Sequence, residues 1–268
     1  VLTLTGFNAS QSRLRVQSNT FGTQCTFALG ATGTVAITNV DFSDIAFTGT
    51  NAPVSGTSLG DVGGNSGITF DAARTVYWVN GTGNMSSTSN WSLTSGGASG
   101  TDVPLCQDTL IFDANSFSAP GQTVTQDIFR CGSVNFSAVT NSPTWSFADS
   151  SSAGLLIVGS LTLSPSMSVT CASATGADVL ITLTSQTSQT WTNAGITWGT
   201  GFIFTVNAPG GTYTLQDNFV MSDATRTFTV TQGTFDANGF NVTCGLFNSS
   251  NSNTRTLTMG SGTWTLTG

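Results

Sequence analysis

Apolar and polar residues alternate along most of this chain. Thr225–Thr231 and Thr254–Met259 place threonine at every second position, and the positions between hold one arginine followed by apolar residues. A period of two puts successive side chains on opposite faces of a β-strand. Glycine, asparagine, aspartate and serine, the residues that favour turns, separate the runs. The pattern predicts an all-β chain of short strands, which include Leu2–Thr5, Thr34–Val40, Leu161–Leu163, Val179–Leu183, Phe202–Val206 and Tyr213–Leu215.

Internal repeats refine that prediction. Thr225–Phe235 aligns without gaps on Thr254–Trp264, an offset of 254 − 225 = 29 residues. Repeats of twenty to thirty residues fit single coils of a parallel β-solenoid, each of which stacks on its neighbour. Thr256–Thr267 also resembles Thr26–Thr38, so we expect a window from a longer array or a processed product. A β-sandwich or jelly roll is the alternative fold, because short strands between turns fit both.

A stretch of different texture divides the chain. Trp78 and Trp91 bracket a turn-rich segment, which suggests a hairpin folded over an exposed solenoid end, although two ordinary core aromatics would give the same pattern. We therefore predict three regions: the end of a β-solenoid module over 1–74, a tryptophan-containing boundary hairpin and loop over 75–117, and a second β-solenoid module over 118–268.

The same stretch carries a family resemblance. Its pattern resembles repetitive β-solenoid modules in structural, fibre-like proteins of environmental tailed bacteriophages, and is similar to autotransporter-like bacterial surface proteins. Met85 departs from the pattern, since related modules often have a second tryptophan after Gly-Asn. The resemblance implies a virion or surface fibre and supplies no catalytic residues. It rests on Tyr77–Asn84, Asn90–Ser92, Ser95–Gly97, Val103–Pro104, Asp108 and Phe112–Phe117.

Composition excludes several function classes. Charged residues are only 7% of the chain, and reading the sequence gives six arginines, thirteen aspartates and no lysine, glutamate or histidine. Histidine-dependent triads, histidine zinc sites and lysine Schiff bases are therefore impossible. A net charge of −7 lacks the basic surface that nucleic acid requires, so we expect no nucleic-acid partner. No apolar run approaches the roughly 20 residues of a transmembrane helix.

Paired carboxylates are the only catalytic apparatus that this composition allows. Asp41 and Asp44 are close in sequence, and Asp102, Asp108 and Asp113 form a second group. Solenoids do host enzymes that act on polysaccharides with two carboxylates. Aspartate also caps turns, and no glutamate, histidine or lysine accompanies these residues as a partner acid or base. We predict no catalytic residue and no enzyme activity.

Two further motifs have ordinary alternatives. Gly60–Gly67 is rich in glycine and oxygen ligands like a cation loop, but it holds one carboxylate, so we predict a surface loop, no metal site and no cofactor. Thr225, Thr227 and Thr229 with their counterparts at 254, 256 and 258 would form a flat ice-binding face if their coils are in register. We favour a solvated β-face, since threonine suits strands and Arg226 shares a face with Phe228 and Val230.

The cysteines and aromatic residues supply the remaining candidates. Five cysteines lie far apart without a CxxC motif. Cys106 and Cys131 could form a disulfide across the loop between them, or remain buried free thiols. Several aromatic residues are candidates for interior stacks or, if exposed, for a speculative sugar-binding surface. These are Trp191, Trp198, Tyr213 and Trp264.

These features together predict a non-catalytic structural protein. We expect an extracellular location, on a virion or cell surface, where stacked coils self-associate into an oligomer or filament and exposed loops touch a host-surface glycan. Low charge lets identical subunits approach without repulsion. A bacterial adhesin or autotransporter-like passenger is the first alternative. A polysaccharide-acting enzyme is the second.

Overall fold

The chain folds as an all-β solenoid. The computed structural model describes residues 1–7, 13–148, 154–172 and 178–268. Parallel coils stack on one another for about 10 turns, which confirms the predicted fold class and replaces the β-sandwich alternative. Within the described ranges there is no α-helix, only a single 3-10 turn at Thr88–Asn90, and so no helix that could cross a bilayer.

The strands fall into an N-terminal group and a longer solenoid body. The N-terminal group contains β1 (Leu2–Thr5), β2 (Leu14–Gln17), β3 (Cys25–Leu29), β4 (Val35–Thr38), β5 (Val40–Ser43), β6 (Ile45–Gly49) and β7 (Gly60–Gly63). The solenoid body contains β8 (Thr75–Trp78), β9 (Gly83–Asn84), β10 (Trp91–Ser92), β11 (Thr109–Ile111), β12 (Thr123–Gln126), β13 (Arg130–Cys131), β14 (Ser133–Asn135), β15 (Thr144–Ala148), β16 (Leu155–Ile157), β17 (Leu161–Thr162), β18 (Ser168–Ala172), β19 (Val179–Leu183), β20 (Ser188–Thr192), β21 (Thr197–Trp198), β22 (Phe202–Leu215), β23 (Phe219–Met221), β24 (Thr227–Asp236), β25 (Val242–Cys244), β26 (Leu246–Asn248), β27 (Arg255–Thr258) and β28 (Trp264–Leu266).

The N-terminal group is a short three-sided coil stack. Its sides are β1 with β4, β2 with β5 and β7, and β3 with β6, and all these pairs are parallel. Alternation directs every second residue inwards, so that Val40, Phe42, Ile45 and Leu59 are buried in a hydrophobic cluster of its own.

The solenoid body also has three sides. The first face runs through β13, β16, β19, β22, β24 and β26, and the second through β8, β11, β14, β17, β20, β22, β24 and β27. Strands β22 and β24 are long enough to take part in both. The third face consists of two four-stranded sheets, one from β9 to β18 and the other from β21 to β28.

Aromatic rings fill the interior of the body. Phe112 and Phe136 are stacked with ring centroids 3.9 Å apart, and Trp145 continues the row at 5.4 Å from Phe136. Trp191 meets Phe204 at 5.2 Å in later coils. Such contacts add to the free energy that burial of the rings already supplies. The interior therefore stabilises the stack without charged groups.

The tryptophan segment forms an antiparallel strand pair, whereas the other strand pairs among the described residues are parallel. Trp91 in β10 lies opposite Trp78 in β8, with ring centroids 5.1 Å apart, and both rings contact Phe112. On its other edge β8 pairs in parallel with β11. This segment is thus both a local hairpin and part of the core of the body. The predicted boundaries at 74/75 and 117/118 stay predictions.

Glycines mark the corner between the first and second faces. A Cβ at Gly132, Gly159, Gly211 or Gly233 would collide with an atom of the preceding coil. At Gly233 that atom is the carbonyl oxygen of Ala208, and φ is +81°. Gly210 has a similar φ of +75° but open space around it. Close coil stacking therefore requires glycine at the first four positions.

These two glycines separate backbone strain from collision. Alanine at Gly210 pays only the left-handed penalty, about 1–2 kcal/mol. Gly233→Ala should lower the free energy of unfolding by that amount and by a further ~1–3 kcal/mol, because the coil must shift to accommodate the Cβ. Urea unfolding followed by tryptophan fluorescence measures both variants. Equal losses would show that the coils are not held at this spacing.

Candidate functional site at the junction of the two strand groups

An ion-pair network joins the N-terminal group to the body. Asp41 in β5 accepts hydrogen bonds from Arg13 Nε at 2.7 Å on Oδ1 and from Arg130 Nε at 2.6 Å on Oδ2. The Asp41 side chain is 1% exposed, and the two arginine side chains are 8% and 12% exposed. Charge-assisted bonds of this kind are stronger than neutral ones, and burial reduces their screening by salt. Arg130 also donates to the backbone oxygen of Arg13 at 3.1 Å.

Neighbouring amides extend the junction. Asp44 Oδ1 accepts a 2.7 Å hydrogen bond from Gln186 Nε2, and its Oδ2 accepts one of 2.9 Å from the Gly22 backbone. Gln107 Oε1 accepts from the Asp61 backbone at 3.0 Å. These bonds satisfy polar groups that would otherwise be buried without partners.

The contacts also define how the two groups cross. Asp41 and Asp44 are three residues apart, or roughly 10 Å along an extended strand. Their partners Arg130 and Gln186 are separated by the two coil steps from β13 through β16 to β19, again roughly 10 Å at the spacing of paired strands. Strand β5 therefore runs along the long axis of the body, and its four residues are buried on both faces.

A polar cavity of about 320 Å³ lies beside this junction. One wall comes from β7 and the other from the glycine corner of the body. Its polar lining includes Asp61, Gln107, Ser133, Gln186 and Gln189. Amides and hydroxyls of this kind bind neutral polar groups rather than transfer protons.

The aspartates weighed as candidate catalytic carboxylates bond to other groups of the chain. Asp108 is fully buried, and its Oδ2 is 2.6 Å from Arg74 Nη2 and accepts the Leu105 backbone hydrogen at 2.8 Å. Asp113 Oδ1 accepts the Asn115 backbone hydrogen at 2.9 Å, as in an Asx turn.

Asp102 lies apart from these aspartates. It lines a separate cavity of about 190 Å³ with Asp71 and Arg74. Four of the candidate aspartates thus have hydrogen bonds that give them a structural role. These are Asp41, Asp44, Asp108 and Asp113.

The segment Gly60–Gly67, predicted to be a surface loop, begins as a strand. Its first four residues form β7, which pairs with β5, so the prediction of a surface loop is wrong for Gly60–Gly63. Asp61 Oδ1 accepts from the Gly63 backbone at 2.9 Å and from Asn65 Nδ2 at 2.7 Å. Among the residues that the structure describes, no three acidic, cysteine or histidine side chains are grouped to hold a metal ion.

The candidate sugar-binding aromatics do not form a surface. Trp191, Trp198 and Tyr213 are fully buried, and Trp264 is partly buried against Phe235 and Phe247. Strand alternation explains why these aromatic side chains are not exposed, because each occupies an inward position of its strand. Their alternative interpretation, as interior stacks, is the one that the structure shows.

The polar atoms of two of these residues are satisfied inside the body. The Tyr213 hydroxyl oxygen lies 3.0 Å from the Ile157 backbone oxygen and 3.1 Å from that of Gly159, and these two oxygens share its hydrogen. Trp198 donates to Asn193 Oδ1 at 3.0 Å. A glycan partner therefore loses the aromatic basis that the sequence suggested.

The two threonine runs are not in register. Thr229 in β24 lies opposite Asn248 on the first face, whereas Thr256 in β27 lies opposite Thr234 on the second. The register that a flat ice-binding face would require is therefore not present, because β24 turns the corner between the first and second faces.

The possible disulfide between Cys106 and Cys131 is not formed, and the alternative of buried free thiols is the one that the structure shows. Cys106 and Cys131 are both buried free thiols. Burial raises the pKa of both thiols well above the usual range, and the nearby Asp41 carboxylate adds to the effect at Cys106. Both cysteines act as small apolar residues next to the junction.

Sequence reasoning missed Arg13, Arg130, Gln107 and Gln186. The available signal was the small number of positive charges. In a chain with six arginines and no lysine, each arginine is a candidate partner for a buried aspartate, but the partner of Arg130 is 89 residues away. No local pattern shows such a pair.

Comparison with protein-family models, curated proteins and solved structures finds no match to this chain. The resemblance to phage and autotransporter-like modules therefore stays a prediction.

Removing the carboxylate charge at the junction should be strongly destabilising. Asp41→Asn leaves Arg13 and Arg130 without a counter-charge, and breaking a buried pair costs about 3–5 kcal/mol. The matched control is Asp178→Asn, because Asp178 pairs with Arg226 at 2.7 Å with both side chains 28–29% exposed. Exposed pairs contribute about 0–1 kcal/mol. Chemical denaturation measures both, and equal losses would contradict a structural role for the network.

Thiol labelling tests the cysteine assignments. With iodoacetamide at pH 8, exposed Cys25 should react in the native protein, while Cys106 and Cys131 should react only after unfolding, because burial suppresses both access and the thiolate form. Peptide mass spectrometry locates the label. If Cys106 and Cys131 resist labelling in denaturant without reductant, they form a disulfide.

Proposed function

We propose that this chain is a non-catalytic structural module of an extracellular fibre, on a virion or a cell surface, that assembles by stacking coil on coil with further copies of itself. The observation that carries this proposal is the presence of two unpaired coil edges. Among the described strands, β1, β2 and β3 each pair on one side only, and so do β26, β27 and β28.

Unpaired strand edges are templates for another chain. The last coil also exposes apolar side chains: Leu246, Met259 and Leu266 are 45%, 45% and 58% exposed. At the other edge, Leu4, Val16 and Phe27 are only partly buried against their cluster. Each edge thus offers both backbone hydrogen bonds and apolar surface.

A second copy fits these edges better than an unrelated partner. The two edges differ, so their contact is head-to-tail, and such contacts propagate into open filaments when rotation does not close a ring. The residues around β27 and β28 echo those around β3 and β4, which indicates that the two ends have similar coil chemistry. Low charge removes most repulsion between copies.

Assembly should depend on concentration and on the last coil. Light scattering and negative-stain electron microscopy of the 268-residue chain should show elongated particles that lengthen as concentration rises. Leu266→Asp should abolish them, because a charge would be buried against the next coil.

The matched control is Leu93→Asp. Leu93 is 57% exposed, like Leu266 at 58%, but lies far from the last coil in sequence, just after β10. This variant should assemble as the parent does. A monomer at every concentration, or equal effects of the two substitutions, would overturn the proposal.

A further inference from the structure

A second cavity, of about 340 Å³, lies between β2 and the first face of the body, and its lining differs from that of the amide-lined cavity. Its polar part comes from Arg15 of β2, Arg130 of β13 and Thr182 of β19. Its apolar part comes from Phe129, Leu156 and Leu180. Leu180 is 40% exposed, so the cavity opens to solvent.

Positive charge exceeds the available counter-charge at this point. Three guanidinium groups, those of Arg13, Arg15 and Arg130, surround Asp41 and Asp44. Both Asp41 oxygens are occupied by Arg13 and Arg130, and both Asp44 oxygens by Gln186 and the backbone of Gly22. Each of these four carboxylate oxygens thus already accepts a hydrogen bond from a group other than Arg15.

Arg15 lies near both carboxylates but is paired with neither in the described part of the chain. Its Nε is buried and has no hydrogen-bond partner there, and none of the ion pairs there includes it. This is so although Arg15 lies directly opposite Asp41 in the strand register. Burial and the nearby Arg130 lower the pKa of Arg15 from its ordinary value, which expresses the same unfavourable environment.

We propose that this cavity binds an organic carboxylate, held by Arg15 and Arg130 with its non-polar part against Leu156 and Leu180. Guanidinium groups match the planar geometry of a carboxylate. Arg130 Nη1 takes no part in the bonds to Asp41 and Arg13, so it can donate alongside Arg15.

The lining narrows the ligand class. A bare inorganic anion would leave the three apolar side chains of the lining uncovered, whereas a carboxylate on a ring or short carbon skeleton covers them. The Thr182 hydroxyl offers one additional hydrogen bond. Two sources share this chemistry, an acidic sugar unit and a small hydrophobic acid. The site does not depend on assembly into a fibre.

Binding is tested on the full chain with glucuronate and benzoate as probes, by titration calorimetry at constant ionic strength. At least one should bind saturably, while glucose and sodium chloride should not. Arg15→Met should weaken that binding about 10-fold or more, as expected for loss of a charged hydrogen bond. A response to glucuronate alone identifies the sugar source, and a response to benzoate alone identifies the hydrophobic acid.

The control variant is Arg255→Met, because Arg255 lines a different cavity and already bonds to Ser249 and Asn253. It should leave probe binding unchanged. Without probe, Arg15→Met should unfold at the same or a higher temperature than the parent, since it removes an unpaired buried charge. Failure of both probes, equal binding by Arg15→Met, or a large drop in its unfolding temperature would each overturn the site.

Discussion

The backbone ladder between successive coils is the interaction on which the rest of this structure depends. Each coil adds its hydrogen bonds to the one before it, and the register places like residues above like, as Phe204 above Phe228 and Val206 above Val230. Side chains are therefore selected for stacking rather than for charge. This explains how a chain with 7% charged residues remains ordered.

The few charges have a different role, which is to fix how the N-terminal group meets the body. Arg13, Asp41 and Arg130 form a directional contact at this junction, where the other polar contacts include the amides of Gln107 and Gln186. Buried ion pairs add little to net stability compared with apolar packing but discriminate strongly between correct and incorrect contacts. The charged part of the docking specificity is thus concentrated in three side chains.

The fold could be predicted from the sequence because its determinants are local. The alternation in β24 and β27 and the repeat spacing near 29 residues are visible within short windows. The site could not, because its determinants are distant. The pairing of Arg130 with Asp41 depends on a reversal of the chain after β7, which no window of two coils contains. The burial of the four candidate aromatics could not be predicted either. A period of two shows that a strand has two faces but does not say which face is inside.

The lateral contacts between the two groups reach from Gln107 to Gln232, since Gln232 Nε2 approaches the Phe21 backbone oxygen at 3.4 Å. The coils of the body between Gln107 and Gln232 therefore lie against the N-terminal group, whose length along the body is fixed. Inserting or deleting one coil there would put Arg130 and Gln186 out of step with Asp41 and Asp44, whereas coils beyond Gln232 have no such counterpart. Variation in repeat number among relatives of this chain should consequently be confined to the part that follows Gln232.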